Sequence, residues 1–181
     1  ITDDTRIIAS LRTIKYALRF NTKIILLSHL GKIKTEEDKK KNSLYPVAER
    51  LREYLNTEVL FSPDTCSDRL TDMVNNMKEK SVLLIENTRF EDVPDKRESE
   101  CNDDLAKYWA SLGDIFINDA YGTCHRNHTS ITGIPKYLPS GVGFLVEKEL
   151  QKIDSVLDAK THPFIAVLGG KKVDDKIVLI E

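Results

Sequence analysis

Several cationic side chains follow directly after short apolar runs of the sequence. The clearest case is the run that begins at Asp114, because it opens into a loop with a glycine turn and the motif HRNH. A guanidinium group binds phosphate or carboxylate through two parallel hydrogen bonds, so an arginine in such a loop is a candidate anion ligand. The cations that follow the three runs KIILLS, SVLLIEN and DIFIND are His29, Lys32, Arg89, His125, Arg126 and His128.

The three runs have the length and composition of buried parallel strands. Between them, apolar residues recur at helical spacing in the segments that begin at Asp3, Asn42, Ser67 and Cys101. This alternation predicts an α/β fold with a Rossmann-like parallel sheet and helices on both faces. The carboxyl ends of parallel strands share one edge, so the cations should face one cleft, which Arg6 can join from the first turn of its helix. We expect a small phosphorylated or carboxylated ligand there.

Two other segments look less regular, and a strand-glycine-helix junction follows near the carboxyl-terminal end. The charged run KTEEDKKKNS is interpreted as a solvated loop, and the Pro- and Gly-rich segment 133–143 as a linker. A long helix is predicted from Phe144 to Ala159. The run FIAVLGG then predicts a strand whose glycines lead into a helix, a junction that favours phosphate. Lys172 and Lys176 lie four residues apart and share a face of that helix.

Composition limits the class of protein. A chain of 181 residues holds one domain, or one domain and part of another. Its net charge of −2 gives no basic field for nucleic acid, and its apolar runs are too short to span a membrane. We therefore expect a cytoplasmic protein that binds neither nucleic acid nor a membrane. Its three widely spaced cysteines are expected to be reduced. Both ends look cut, since the chain starts at Ile1 and stops soon after an apolar run.

Each candidate residue also has a simpler interpretation. Arg89 could form a surface ion pair with Glu86 or Glu91, which would contribute little energy. His29 could be a structural histidine. Cys124, His125 and His128 could hold a metal ion, although a second matching pair of ligands is missing from the sequence.

Five segments closely resemble the phosphoglycerate kinase family: LLSHLGK, LLIENTRFE, INDAYGTCHRNHTS, GFLVEKEL and FIAVLGGKKVDDKI. Their order and spacing agree with the family over nearly the whole chain. The resemblance implies a 3-phosphoglycerate-binding domain over residues 1–142, whose first strand would precede Ile1. It also implies an interdomain hinge helix over 143–160, and the first strand and helix of a nucleotide-binding domain over 161–181.

The resemblance also implies roles for individual residues. Arg6 and Lys172 would be catalytic, on either side of the transferred phosphoryl group. Lys32 stands where the family commonly has arginine, so one bidentate contact becomes a point charge. The substrate-binding residues would be Arg6, His29, Lys32, Arg89, Arg126 and His128, and the residues near the nucleotide Gly169, Gly170, Lys172 and Lys176.

The implied reaction is reversible phosphoryl transfer between ATP and the carboxylate of 3-phosphoglycerate, with 1,3-bisphosphoglycerate and ADP on the other side. Mg²⁺ would enter with ATP or ADP, and the protein would act as a monomer. The acceptor is already ionised, so positioning and charge neutralisation suffice without a general base. We expect the chain itself to bind the acceptor anion without turnover.

Two other classes of protein are weighed beside the kinase. A non-catalytic anion-binding or interaction module could share the fold. A nicotinamide-dependent dehydrogenase would need a GxGxxG motif after a strand, which the sequence lacks.

Overall fold

Helices and strands alternate along the chain, as the periodicity predicts. The computed structural model describes residues 3–157 and 165. Its strands are β1 (Ile24–Leu26), β2 (Val59–Ser62), β3 (Val82–Ile85), β4 (Phe116–Asn118) and β5 (Ser140–Val142). Its α-helices are α1 (Thr5–Ala17), α2 (Glu36–Lys41), α3 (Tyr45–Tyr54), α4 (Asp68–Asn75), α5 (Asp103–Ser111) and α6 (Phe144–Leu157). No helix in this described part is long and apolar enough to cross a membrane.

Strand β3 is the centre of a three-stranded parallel sheet. It pairs with β1 on one side and β2 on the other, and Leu83 is in register with Ile25 and Leu60. Successive side chains of a strand point to opposite faces, so β3 contributes to two cores. Val82 and Leu84 pack in the core that includes residues of α1 and α3, whereas the next residues along β3 pack in the core that includes residues of α4 and α5. The predicted sheet with helices on both faces is confirmed.

The remaining two strands, β4 and β5, form a separate parallel pair in the described part of the chain. The turn after β5 is tightly packed, because a Cβ at Gly143 would lie 2.4 Å from Oδ1 of Asp119. That oxygen accepts hydrogen bonds from the backbone N–H groups of Leu145 (2.8 Å) and Val146 (3.3 Å), in the first turn of α6. Asp119, the residue that directly follows β4, therefore fixes the start of α6.

Two local interpretations of the sequence were wrong. The charged run forms the exposed helix α2, which begins with a capping box between Thr35 and Asp38. The segment interpreted as a linker contains β5, which pairs with β4. Asp4 stands at the N-cap position of α1 without a side-chain capping bond, because its carboxylate instead accepts from Arg50 and Tyr54 of α3.

The chain divides into two compact units, Ile1–Glu149 and Leu150–Glu181, so the boundary falls inside α6. The predicted strand FIAVLGG and the helix after it lie outside the described residues, apart from Ile165. The four residues assigned to nucleotide binding also lie outside them: Gly169, Gly170, Lys172 and Lys176.

Candidate functional site

The loops that leave β1 and β3 are held together by hydrogen bonds. The backbone N–H of Thr88 donates to the carbonyl of Ser28 at 3.0 Å, which continues the pairing of the two strands into their loops. The buried side chain of Asn87 then donates to the carbonyls of Leu30 (2.8 Å) and Asn42 (2.9 Å). Asn87 also accepts from the N–H of Arg89 at 3.1 Å. One amide thus fixes the path of both loops and the position of Arg89.

Arg89 is buried, with only 7% of its surface exposed. Its Nη1 donates to the carbonyl of Gly31 at 2.7 Å, whereas its Nε is buried without a hydrogen-bond partner in the described residues. Gly31 has φ +65°, and a Cβ there would lie 2.5 Å from Oδ1 of Asn42, so this turn requires glycine.

The simpler interpretation of Arg89 as a surface ion pair is wrong. Glu86 instead accepts from the hydroxyl of Ser43 (2.5 Å) and the N–H of Leu44 (2.7 Å). Glu91 pairs with Arg97. A buried guanidinium with an unsatisfied donor is energetically costly. The neighbouring carboxylates do not accept from the Nε of Arg89, so this donor can still form a hydrogen bond with another group.

Arg126 shows the same feature on the loop after β4. Its backbone N–H donates to the carbonyl of Thr123 at 2.9 Å, which closes a turn after the short 3₁₀ helix Tyr121–Thr123. Its Nε is buried and has no hydrogen-bond partner among residues 3–157 and 165. Two arginines on two different loops therefore each keep a buried donor free.

The electrostatics of His29 show that these cations lie near one another. Its side chain is more than one-third accessible, yet the surrounding protein displaces much of the water around the ring. This loss of solvation is the largest cause that lowers the pKa of His29 to about 4, and the nearby Arg89, Arg126, His128 and Arg6 contribute to the same shift in that order. Arg6 thus joins the group from α1, as the sequence predicts.

The pKa of His128, on the loop after β4, responds to the same positive charges. Its pKa is lowered by burial first, and then by the charges of Arg89 and Arg126, while Asp92 acts in the other direction. Two histidines held neutral beside three arginines form a site with strong positive potential. A bound anion would relieve the repulsion among these cations and satisfy the free arginine donors.

Other candidate residues contribute less to this geometry. Lys32 is exposed. It directly follows Gly31, whose carbonyl accepts the hydrogen bond from Arg89. His125 is exposed, and Sγ of Cys124 contacts Nδ2 of Asn118 at 3.6 Å. Within residues 3–157 and 165 no group of three or more His, Cys, Asp or Glu side chains could hold a metal ion, so the alternative of a metal site at Cys124 finds no support there.

Asn87 and Glu98 contribute to the site, but sequence reasoning gave neither a role. Asn87 stands at the end of a predicted strand, which is a signal for a loop-fixing residue. Glu98 lies in an irregular polar segment with no periodicity, and the sequence offers no signal for it.

The fold and the site define a Rossmann-like α/β domain that can bind a small, multiply charged anion at the carboxyl ends of its strands. The model of the family described as "Phosphoglycerate kinase" matches residues 1–181. The chain belongs to the phosphoglycerate kinase family.

Similar proteins agree with this assignment. The phosphoglycerate kinases of Listeria innocua and Enterococcus faecalis are each 55% identical to the chain, over 181 and 182 residues. Each alignment covers 100% of the chain and 46% of the relative, so the chain spans about half the length of these proteins.

Among solved structures, phosphoglycerate kinase from Coxiella burnetii superposes with a TM-score of 0.81 at 34% identity, covering 99% of this chain and 44% of that one. The enzyme from Pyrococcus horikoshii OT3 gives a TM-score of 0.79 at 31% identity, covering 97% and 44%.

Proposed function

We propose that the domain binds 3-phosphoglycerate, as one half of an enzyme that transfers a phosphoryl group reversibly between ATP and the carboxylate of this acid. The observation that carries the proposal is the pair of buried, unpartnered Nε groups on Arg89 and Arg126. Both arginines act electrostatically on His29, so they belong to one cluster. A phosphate monoester with a carboxylate at its other end matches a cluster of several separate cations.

Different cations have different tasks in this proposal. Arg89, Arg126 and Lys32 hold the phosphate of the substrate, while His29 and His128 donate to its other oxygens. Arg6, on the first turn of α1, lies beside the carboxylate and stabilises the charge that develops during transfer. The carboxylate is already an anion at neutral pH, so the reaction needs alignment and charge neutralisation rather than a base.

The nucleotide side of the reaction is assigned to residues outside the described part of the chain. Membership of the family implies ATP or ADP with Mg²⁺ and both phosphoglycerates as substrates. Mg²⁺ bound to the nucleotide neutralises phosphate charge during transfer. Gly169 and Gly170 would offer backbone N–H groups to the phosphates, Lys176 would lie near them, and Lys172 would follow the transferred group.

The domain arrangement is part of the proposal too. Residues 1–142 form the 3-phosphoglycerate domain, 143–160 the hinge helix and 161–181 the start of the nucleotide domain. Closure about that helix would bring the two substrates together and exclude water. We infer a cytoplasmic, monomeric enzyme.

Calorimetric titration of the chain with 3-phosphoglycerate tests the proposal. The matched control is glycerol 3-phosphate, which has the same phosphate but lacks the carboxylate. We expect saturable binding of 3-phosphoglycerate, at least about tenfold tighter than binding of the control, because one charge-assisted contact is lost. Equal affinities, or no binding of either ligand, would refute it.

A further inference from the structure

Glu98 is a buried acid inside an otherwise cationic site. Only 2% of its surface is exposed. Its Oε2 accepts from the backbone N–H of Ser130 at 3.0 Å, and its Oε1 accepts from the hydroxyl of the same residue. Oε1 also lies 3.7 Å from Nδ1 of His128, within ion-pair distance. The carboxylate therefore touches the loop of His128 at three points.

The backbone around Glu98 connects the two cation-bearing loops. The N–H of Thr129 donates to the carbonyl of Glu98 at 2.9 Å, and its hydroxyl donates to the carbonyl of Arg97 at 2.6 Å. Arg97 is itself held by Glu91 of the 3₁₀ helix Thr88–Asp92, which also carries Arg89. Glu98 thus lies where the loop after β3 meets the loop after β4.

A carboxylate at this place has an electrostatic cost. Burial raises the pKa of Glu98, which shows that the protein stabilises its charged form less than water does. Its negative charge also works against an anion bound nearby. Loop attachment alone does not require a charge, since the amide of a glutamine could accept from the N–H of Ser130 through its oxygen and donate to the hydroxyl oxygen of Ser130 through its nitrogen.

We propose that Glu98 is a positioning residue for the anion site. Its carboxylate lies 3.7 Å from Nδ1 of His128 and electrostatically favours the neutral tautomer that carries the proton on this nitrogen. It also favours the imidazolium form when an anion is bound, so that Nε2–H can donate to that anion. The part of this inference that concerns an anion rests on the proposed function, whereas the link between Glu98 and His128 does not.

The charge state of His128 depends on groups from several parts of the fold. Asp92 favours its protonation, the carboxylate of Glu98 lies 3.7 Å from its Nδ1, and the neighbouring cations oppose protonation. The charged and titratable groups near His128 are Asp92, Glu98, Arg89, Arg126, His125 and His29.

The first experiment needs no ligand. Long-range ¹H–¹⁵N NMR spectra of the histidine rings report which nitrogen carries the proton. We expect His128 to show the Nδ1–H form in the wild type and to lose this preference in Glu98→Gln. Ser130→Ala is the matched control, because it removes a bond to the same carboxylate without changing its charge, and it should keep the Nδ1–H form.

The second experiment measures affinity for 3-phosphoglycerate from about pH 5 to about pH 8. Glu98→Gln should bind the anion about tenfold more weakly at neutral pH, because a charge-assisted contact becomes a neutral one. Removing the carboxylate lowers the pKa of His128, so the rise in affinity on acidification should move to lower pH. Ser130→Ala should keep the wild-type pH profile.

The outcomes are distinguishable. If wild-type and Glu98→Gln rings show the same tautomer, the inference fails whatever the chain binds. If Glu98→Gln weakens binding but leaves the pH profile unchanged, Glu98 only holds the loop and the inference also fails. If the wild type shows the Nδ1–H form but binds no 3-phosphoglycerate, the proposed function fails, and the part of the inference that concerns an anion fails with it. The link between Glu98 and His128 then still stands.

Discussion

Replacing Arg126 with alanine removes one partly buried guanidinium, whose Nε is fully buried, from the candidate site and leaves the loop backbone intact. The N–H of residue 126 still donates to the carbonyl of Thr123, because this bond does not involve the side chain. The Nε that is lost has no hydrogen-bond partner in the described residues. We therefore expect the free energy of unfolding to change by less than about 1 kcal/mol, since repulsion from Arg89 and Arg6 is lost together with some packing.

The effect on binding should be much larger. A charge-assisted hydrogen bond is worth about 1.5–3 kcal/mol, and the upper value applies to a buried donor that is already in place. At about 1.4 kcal/mol for each tenfold change, the affinity for 3-phosphoglycerate should fall about 100-fold.

Isothermal titration calorimetry measures this loss directly, and Arg19→Ala is the matched control. That variant has the same change in net charge, but Arg19 follows the carboxyl end of α1, the end opposite to Arg6. A second readout needs no ligand. The pKa of His29, about 4 in the wild type, should rise in Arg126→Ala because one of the charges that lower it is gone.

An affinity for 3-phosphoglycerate within about threefold of the wild type would refute the role given to Arg126. An unchanged pKa of His29 would show that the two side chains do not share one electrostatic cluster.

Three further predictions concern the protonation of His29 and the packing of the fold that supports the site. The pKa of His29 is lower in the folded protein than in an unfolded chain, so between about pH 6.5 and about pH 4 the unfolded state binds more protons. Stability should therefore fall as the pH drops through this window, and urea unfolding should show a smaller fall for His29→Gln. Gly143→Ala should lower the free energy of unfolding by about 1–3 kcal/mol, because its Cβ meets Asp119, whereas Gly122→Ala, which meets nothing within 4 Å, should cost less than about 1 kcal/mol. Leu83→Ala should cost about 2–5 kcal/mol in the same assay, since the side chain is fully buried; a cost below about 1 kcal/mol would contradict its place in the core.

The parts of the fold that could be predicted from sequence are those that depend on local periodicity. β3 is a continuous apolar run, and both of its faces are buried, one in the core with α1 and α3 and the other in the core with α4 and α5. A cation placed after such a strand faces the ligand edge of the sheet, so Arg89 could be assigned to an anion site without coordinates.

The contacts that shape the site could not be predicted in this way. Asn87 reaches the carbonyls of Leu30 and Asn42, which lie 57 and 45 positions away in the sequence. Glu98 contacts a residue 32 positions away, and its segment has no regular pattern. Such contacts arise only when two loops have already been placed by their strands.

The wrong interpretations of the segments that form α2 and β5 had a different cause. Every residue of helix α2 is charged, so no apolar stripe reveals it, although Thr35 and Asp38 have the spacing of a capping box. Strand β5 has only three residues and lies among prolines and glycines, and its pairing with β4 decides its structure.

A crystal structure of the protein grown with 3-phosphoglycerate tests the central claim most directly. We expect the ligand phosphate to lie within about 3 Å of the guanidinium groups of both Arg89 and Arg126, so that their Nε donors are satisfied. A phosphate bound away from these arginines, or Nε groups that instead donate to protein atoms, would contradict it.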